Sequence, residues 1–420
     1  MAGGEPEIVN PVAAEEVPGW SRALATTFLR DPSGAEADRA VAVLERGWEA
    51  ERAWGARDAG RWVATLRTQE RALTVPGAGA GTLEVRADAL TNVSVAASHR
   101  RRGLLASMLG DSLAAARDRG DPVSILIASE WPIYGRFGYA PATLAADAVL
   151  HSARHGATCP GDPGRVRQVE REEFGALAPA VFAAARRLRP GQIDRGAGWW
   201  DRTLGLDGFP PSPSLPHNWF VHDGEDGPDG LLSWTADGDF SLGGKRATID
   251  VGDLVSAGDD AYRDLWCYLS GIDLAAEVRL RNRPVDEQVR WLLRDGRSLE
   301  LREHVDFLWL RILDVEAALA ARRYAAPGEV VLEVVDDATE PFATGRYLLA
   351  ADGGEAACRR TDRPADVELT QRALASIYLG GFGLHEQALS GMADERSAGT
   401  LARVDAMFAV PLAPWTATWF

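Results

Sequence analysis

The sequence predicts an α/β (α+β) protein that is built from more than one domain. Its 420 residues exceed what a single hydrophobic core normally serves, so two or three domains are expected. Hydrophobic residues make up 46% and charged residues 25%, which is typical of globular proteins. Between residues 90 and 150, short β-prone runs alternate with an amphipathic helical pattern. These observations together favour mixed sheets that are covered by helices.

The first 96 residues predict a strand, two helices and a run of antiparallel strands. Ile8 and Val9 are β-prone, and residues 20–29 and 36–54 have helical periodicity. The glycine-rich run 77–81 is typical of a hairpin loop. Around it we expect strands over 61–67, 71–75, 82–85 and 90–96.

The most informative stretch runs from residue 90 to residue 143. Three arginines, Arg100 to Arg102, precede Gly103, and the helix that follows has one apolar face, formed by Leu105, Met108, Leu109, Leu113 and Ala116. A buried strand is expected at 123–128. A helix N-terminus has unpaired N–H groups and a partial positive charge, and glycine lets a ligand approach the backbone. The turn therefore suits a pyrophosphate, and the alternative is a solvated basic turn.

The rest of the chain predicts two further units. The middle unit has the same general order of elements as the first unit, but in it no Arg-x-x-Gly turn joins a predicted strand to a predicted helix. After a strand at 144–150, its elements are expected at 171–188 (helix), 197–204 (helix), 219–222, 231–236 and 249–256 (strands), 262–272 (helix), 276–281 (strand) and 287–294 (helix). The third unit is expected to contain strands at 307–313, 330–335, 345–350 and 366–370, and helices at 314–321, 371–378 and 401–408.

Two longer strings point to a family. His-Arg-Arg-Arg-Gly-Leu-Leu begins at His99, and Ala-Ser-Glu-x-x-Ile-Tyr-Gly-Arg-Phe-Gly-Tyr begins at Ala128. Together they resemble the Eis (enhanced intracellular survival) family of N-acetyltransferases, within the GNAT superfamily. The resemblance implies a GNAT domain with an acetyl-CoA site at 1–155, a degenerate GNAT-like domain at 156–305 and a sterol-carrier-like domain at 306–420. It also implies a homohexamer.

The resemblance implies where acetyl-CoA binds. The pantetheine arm would pair with the backbone of Val93, Ser94 and Val95, because extended ligands add to sheet edges. Backbone N–H groups would hold the pyrophosphate at Arg101, Arg102, Gly103, Leu104, Leu105 and Ala106. Ser129 and Glu130 match the family's pair beside the pantetheine. In the N-terminal helices, aromatic residues either line the acceptor cavity or belong to the core; they are Trp20, Phe28, Trp48 and Trp54.

Acetyl transfer to an amine requires a proton donor for the leaving thiolate. Tyr134 and Tyr139 both follow the buried strand, so either hydroxyl is a candidate from position alone. A buried tyrosine with a satisfied hydroxyl is the structural alternative for each. The family resemblance assigns the role of general acid to Tyr134.

The transfer also requires a base, because an alkyl amine with a pKa near ~10 is almost wholly protonated at pH 7. The resemblance implies that the base is the C-terminal carboxylate of Phe420. An α-carboxyl has a pKa of about 3.3–3.7, so it would need burial or a bridging water to act. Trp415 and Trp419 are candidates to anchor the tail. The alternative is a frayed terminus.

The net charge limits the kinds of binding partner that we expect. The net charge of −16 argues against nonspecific nucleic-acid binding, and it suits polycationic acceptors such as aminoglycosides or polyamines through electrostatic steering. An acidic surface that serves solubility is the alternative. Two other functions stay open, a lysine or protein acetyltransferase and a non-catalytic protein that binds a lipid or sterol-like ligand beside a vestigial GNAT domain.

Sequence motifs and composition limit the cellular compartment and the cofactors that we expect. No apolar run is long enough to span a bilayer, and the start lacks a basic-then-apolar leader, so we expect a cytoplasmic protein without a membrane partner. No metal-binding motif occurs, and acetyl-CoA is the only cofactor expected. The cysteines lie too far apart for a disulfide framework and are expected to be reduced; they are Cys159, Cys267 and Cys358.

Overall fold

We analysed the protein as a computed structural model. It describes residues 5–79, 81–151, 161–207, 218–238, 247–336, 338–339 and 341–420. Within these ranges the strands form three sheets.

The N-terminal unit begins with a short strand and two helices, as predicted. Its elements are β1 Glu7–Val9, α1 Val17–Thr27, α2 Gly34–Glu45, β2 Ala53–Asp58, β3 Arg61–Pro76, β4 Thr82–Val95, α3 Leu104–Asp118, β5 Val123–Ile127, α4 Trp131–Tyr134 and β6 Ala140–Pro141. The four predicted strands merge pairwise into β3 and β4. The helix predicted over 36–54 is too long: α2 ends just before Gly47, a residue type that favours helix ends, and Trp54 lies in β2.

The middle of the chain forms the second unit. Its elements are β7 Leu144–His151, β8 Val166–Val169, α5 Arg171–Ala185, α6 Ala197–Thr203, β9 Asn218–Gly224, β10 Gly227–Asp237, β11 Ala247–Ser256, α7 Asp259–Ser270, β12 Ala275–Arg283 and β13 Leu299–Asp306. The helix predicted at 287–294 is wrong. The structure has a 3₁₀ turn there, Gln288–Trp291, and no α-helix.

The C-terminal part contains β14 Leu308–Ile312, α8 Val315–Ala320, β15 Gly328–Val335, β16 Gly345–Ala351, β17 Ala356–Arg360, β18 Val367–Thr370, α9 Gln371–Ile377, α10 Leu384–Leu389, β19 Ala393–Glu395 and α11 Thr400–Phe408. Asp314 caps α8, because its carboxylate accepts from the N–H of Ala317 at 3.0 Å. The sequence predicted neither β17 nor α10.

Two strands, β14 and β7, lie in sheets outside the domains predicted for them. The first sheet has the order β1-β2-β3-β4-β5-β14-β6, and the second has the order β13-β7-β12-β11-β10-β9-β8. The stretch 307–313 was predicted as part of the third unit, but β14 lies between β5 and β6. Conversely, β7 follows β6 in the chain and lies in the second sheet. The first and second sheets therefore each contain a strand from the other side of a predicted domain boundary, at 305 and 155 respectively.

The third sheet, of order β17-β16-β15-β18-β19, shares a core with the first. One hydrophobic cluster extends from Leu73 on β3 through Leu310 on β14 to Leu374 on α9 and Phe408 on α11. A second cluster fills the space between the first sheet and α3. The N-terminal and C-terminal units therefore pack as one body around β14, which fixes the end of the chain against the first sheet.

The cysteine prediction is wrong at one position. Cys267 on α7 is disulfide-bonded, whereas Cys358 on β17 carries a free thiol, and Cys159 lies outside the described residues. Bonding depends on proximity in the fold, which sequence spacing does not reveal.

Candidate active site

The first sheet opens between two parallel strands. Strand β4 pairs with β5 only from Ala87 to Leu90, opposite residues 123 to 126. Beyond Leu90, β4 continues to Val95, while β5 ends at Ile127. The backbone of β4 past Leu90 therefore has no strand partner on the β5 side. An extended amide-containing arm can bind in this opening as an added strand would.

A bulge sets the shape of β4 at the opening. The β3–β4 register shifts between Thr65 and Arg67, and Asn92 has a left-handed φ of 54°. The Thr65 hydroxyl donates to the Asn92 carbonyl at 2.8 Å. Because that uses its only proton, the Ser94 hydroxyl, 2.7 Å away, donates to Thr65. The side chain of Ser94 is thus bound to β3.

The basic turn after β4 has the conformation of an anion site. Arg101 and Gly103 both lie in the left-handed region, at φ values of 63° and 80°. Arg100, Arg101 and Arg102 are exposed, and in the described part of the chain none of them forms an ion pair. Helix α3 begins immediately after Gly103 and has no side-chain cap. Its first N–H groups are therefore available to a phosphate group.

The space above Gly103 is open. A Cβ added at Gly103 would meet no heavy atom within 4 Å. The predicted coenzyme residues at the start of α3 also pack beside the β4 opening. Leu104 belongs to the cluster between the first sheet and α3, and four further predicted residues border it: Val93, Val95, Leu105 and Ala106. The structure thus brings the predicted turn and the predicted strand together on one side of the sheet.

Tyr134 lies beside this opening, at the end of α4. Ser129 and Glu130 are exposed just past β5, and Tyr134 follows on the short helix, with its side chain 8% exposed. It belongs to the same cluster as Leu104. Burial, and to a lesser extent the Glu130 carboxylate, raise the pKa of Tyr134 to about 12. Among the described residues, none forms a hydrogen bond with its hydroxyl.

Tyr139 differs from Tyr134 in its hydrogen bonding. It is fully buried, and its hydroxyl lies 2.6 Å from the Ser124 hydroxyl. Ser124 donates its own proton to the Asp88 carbonyl at 2.9 Å, so Tyr139 is the donor of the shared bond. This hydroxyl therefore has a structural role at β5. A buried tyrosine with a satisfied hydroxyl was the predicted alternative to a catalytic role.

The last residues of the chain are bound along residues 190–192. The Trp415 N–H donates to the Pro190 carbonyl at 3.0 Å, and the Thr416 hydroxyl donates to the Gly191 carbonyl at 2.6 Å. Further on, the Ala417 N–H donates to Gln192 Oε1 at 3.1 Å. The tail is therefore not frayed.

Residues 190–194 are themselves attached to the first sheet. Thr74 and Gln192 are joined by an N–H to carbonyl bond of 2.8 Å, and Leu73 forms an isolated bridge with Ile193. Phe420 packs, partly buried, against the cluster that contains Leu73 and Ile193. Tyr134 belongs to the other cluster, and no hydrogen bond or ring contact between described residues joins it to Phe420.

The four N-terminal aromatic residues, predicted either to line the acceptor cavity or to belong to the core, differ in burial. Trp20 and Trp54 are fully buried core residues, joined by a bond from Trp20 Nε1 to the Trp54 carbonyl at 2.9 Å. Trp48 is half-buried against Trp20, and Phe28 is 46% exposed. Trp20 and Trp54 therefore belong to the core.

A cavity of about 640 Å³ lies outside the predicted site. It is bordered by Trp131 and Gly135 of the segment around Tyr134, by Trp309 on β14 and by Arg372 and Phe382 of the C-terminal unit. None of the predicted coenzyme residues lines it. Within the described ranges no group of three His, Cys, Asp or Glu side chains is arranged to hold a metal, and no helix has the length and hydropathy to cross a membrane.

Sequence reasoning missed the residues that hold the tail. Gly191 and Gln192 lie 225 residues from their tail partners, and Arg195 lies 223 residues from Thr418. No local spacing could reveal such contacts. The available signal was the aromatic ending with Trp415, Trp419 and Phe420, which indicated a buried tail but not its binding surface.

Comparison with known proteins agrees with the fold. Acetyltransferase (GNAT) domain models match residues 9–142 and 191–312, and a sterol carrier protein domain model matches residues 315–417. An uncharacterized N-acetyltransferase of Streptomyces griseus is 37% identical over 97% of this chain and 98% of its own length. The N-acetyltransferase Eis of Mycobacterium bovis BCG is 34% identical over 80% of each chain.

A solved structure shows the same arrangement over the full length. Eis1 from Mycobacterium abscessus superimposes with a TM-score of 0.84 at 29% identity, covering 99% of this chain and all of Eis1. The fold and the domain matches define a GNAT N-acetyltransferase with two GNAT domains and a sterol-carrier-like C-terminal domain, which uses acetyl-CoA as acetyl donor. The chain belongs to the Eis family. The predicted family, fold class and enzyme class are confirmed.

Proposed function

We propose that this acetyltransferase acts on the amines of polycationic small molecules, aminoglycosides or polyamines, with broad regiospecificity. In this proposal Tyr134 is the general acid and the C-terminal carboxylate of Phe420 is the general base. The acetyl group passes directly from the thioester to the amine.

The proposal assigns the coenzyme to the opening of the first sheet. Val93, Ser94 and Val95 bind the pantetheine amides, and the N–H groups of residues 101–106 bind the pyrophosphate. Ser129 and Glu130 border the arm. The support is the unpaired edge of β4, the open space above Gly103 and the uncapped start of α3.

The observation that carries the proposal is the state of the Tyr134 hydroxyl. The ring is buried beside the opening, the hydroxyl stays protonated up to a pKa of about 12, and it has no hydrogen-bond partner among the described residues. A hydroxyl that is not committed to a bond within the protein can donate its proton to a ligand in the opening. When the C–S bond breaks, Tyr134 gives its proton to the sulfur, and the second proton that the nitrogen loses on forming the amide restores the tyrosine.

The Phe420 carboxylate takes the proton from the acceptor ammonium, directly or through a water, as nitrogen attacks the carbonyl carbon. Support comes from the ordered tail, which lies along residues 190–192 and packs against the core shared with the first sheet.

The net charge supports the proposed acceptor class. A net charge of −16 attracts polycations and increases their encounter rate. Lysine side chains of proteins share the same ammonium chemistry and are the second acceptor class to test. The homohexamer and the cytoplasmic location stay predictions.

The test measures thiol release from acetyl-CoA with an aminoglycoside, spermidine and a lysine peptide as acceptors. We expect release with the two polycations and much less with the peptide. Tyr134→Phe is the control for release that does not depend on the site. Release with the peptide alone would reassign the acceptor to protein lysine. No release with any amine, despite measurable acetyl-CoA binding, would contradict the proposal and favour a ligand-binding protein.

A further inference from the structure

The buried guanidinium of Arg195 contacts the tail close to its end. Arg195 lies between α5 and α6 of the second unit, and its side chain is 1% exposed. Its Nε donates to the Thr418 hydroxyl at 3.0 Å. Thr418 is itself 2% exposed and lies two residues before Phe420.

An ion pair and aromatic rings hold this guanidinium in place. Its two terminal nitrogens bind the two carboxylate oxygens of Asp253 at 3.0 and 3.3 Å. Its faces lie near aromatic rings, with the central carbon 3.5 Å from the Trp199 ring centroid and 3.9 Å from that of Phe182. A planar guanidinium held in this way can point its Nε–H in only one direction.

The second sheet fixes the counterion. Asp253 belongs to β11, and its N–H donates to the Ser233 hydroxyl on β10 at 3.0 Å. A buried arginine is tolerated only when it is paired and hydrogen-bonded, and Asp253 meets that requirement. Sheet, carboxylate, guanidinium and tail hydroxyl thus form one rigid connection.

Thr418 is the last residue of the tail with a hydrogen bond in the described structure. After it, Trp419 is 63% exposed and makes an edge contact with Phe307, with ring centroids 5.6 Å apart. Among the described residues Phe420 makes apolar contacts and no hydrogen bond. The bond at Thr418 is therefore the last polar contact that fixes the path of the chain before the terminal carboxylate.

We propose that Arg195 is a positioning residue for acetyl transfer, which orients the Phe420 carboxylate through Thr418. This inference rests on the proposed function, because it presumes that the carboxylate is the base. It gives the second GNAT domain a role in the reaction carried out by the first.

The test compares Thr418→Val, which removes the hydroxyl at nearly constant volume, with Thr418→Ser, which keeps it. Arg195→Lys keeps the charge opposite Asp253 but removes the Nε donor. We expect Thr418→Val and Arg195→Lys to lower kcat roughly 10- to 100-fold, because a small misplacement of a catalytic group has effects of this size. Acetyl-CoA affinity should not change, and Thr418→Ser should recover most of the turnover.

A second measurement separates this inference from the proposed function. Thr418→Val is introduced into a chain extended by two residues beyond Phe420, which displaces the carboxylate. If Arg195 acts through the carboxylate, the substitution has no further effect in the extended chain. A full additional loss there, or no loss in the unextended chain, would overturn the positioning role. An extension that by itself leaves kcat unchanged would instead overturn the proposed base.

Discussion

The rings of Tyr134 and Tyr139 meet edge to face, with centroids 6.2 Å apart, but their hydroxyls are in different states. The Tyr139 hydroxyl is bound to Ser124 at 2.6 Å, whereas that of Tyr134 has no partner among the described residues. One ring pair therefore combines a structural tyrosine with one that is free to donate.

Replacing each tyrosine by phenylalanine should separate these roles. We expect Tyr134→Phe to lower kcat by about 10²-fold or more, the usual contribution of general acid catalysis, with little change in melting temperature. Tyr139→Phe should leave kcat largely intact and cost about 1 kcal/mol of unfolding free energy, because one buried hydrogen bond is lost. Steady-state kinetics and thermal unfolding check both. The reverse pattern would assign the acid to Tyr139.

The pH dependence of turnover should reflect the raised pKa of Tyr134. A general acid acts in its protonated form, so its contribution is lost as the pH rises through its pKa. Because burial raises that pKa to about 12, kcat should show no fall from this group between pH 8 and pH 10. Glu130→Gln removes a nearby negative charge and should move the alkaline fall to lower pH. A wild-type decline centred near pH 9 would contradict the assignment.

Gly103→Ala should weaken acetyl-CoA binding. Its φ of 80° costs an alanine about 1–2 kcal/mol, and the added methyl would occupy the space above the turn. Gly399→Ala is a matched control, since Gly399 has a φ of 84°, precedes α11 in the same way and has the same open surroundings. We expect similar losses of unfolding free energy, but a higher dissociation constant for acetyl-CoA only at Gly103. Equal affinities in calorimetry would place the coenzyme elsewhere.

Arg195 should also matter for stability. Arg195→Met leaves the Asp253 carboxylate buried without its partner, which typically costs about 3–5 kcal/mol. Arg302→Ala removes an exposed arginine paired with Glu300 and should have no measurable effect. Denaturant unfolding of both variants checks this. Equal unfolding free energies of the two variants would mean that solvent compensates the Asp253 carboxylate for the loss of Arg195.

Local signals in the sequence were sufficient for the turn, helix and strand around Gly103. The left-handed glycine, the helix that follows it and the buried strand are encoded within about 50 residues, and short-range periodicity identifies such elements. The resemblance to a family then separated Tyr134 from Tyr139, which position alone could not.

Pairing across long sequence separations could not be predicted. Strand β14 joins the first sheet, where the Leu308 N–H donates to the Thr143 hydroxyl 165 residues away. Its apolar sequence fits any buried strand, so nothing in it names a partner. For the same reason the contact between Arg195 and Thr418 was missed, since each residue taken alone is an ordinary polar residue.

The most direct test of the account is the extension of the chain by two residues after Phe420. The extension converts the terminal carboxylate into an amide and should lower kcat by at least 10²-fold, with the acetyl-CoA dissociation constant unchanged. The same two residues added before Met1 are the control and should have no effect. Unchanged turnover of the C-terminally extended protein would contradict the role of Phe420, and a parallel loss of acetyl-CoA binding would indicate a general disturbance of the fold.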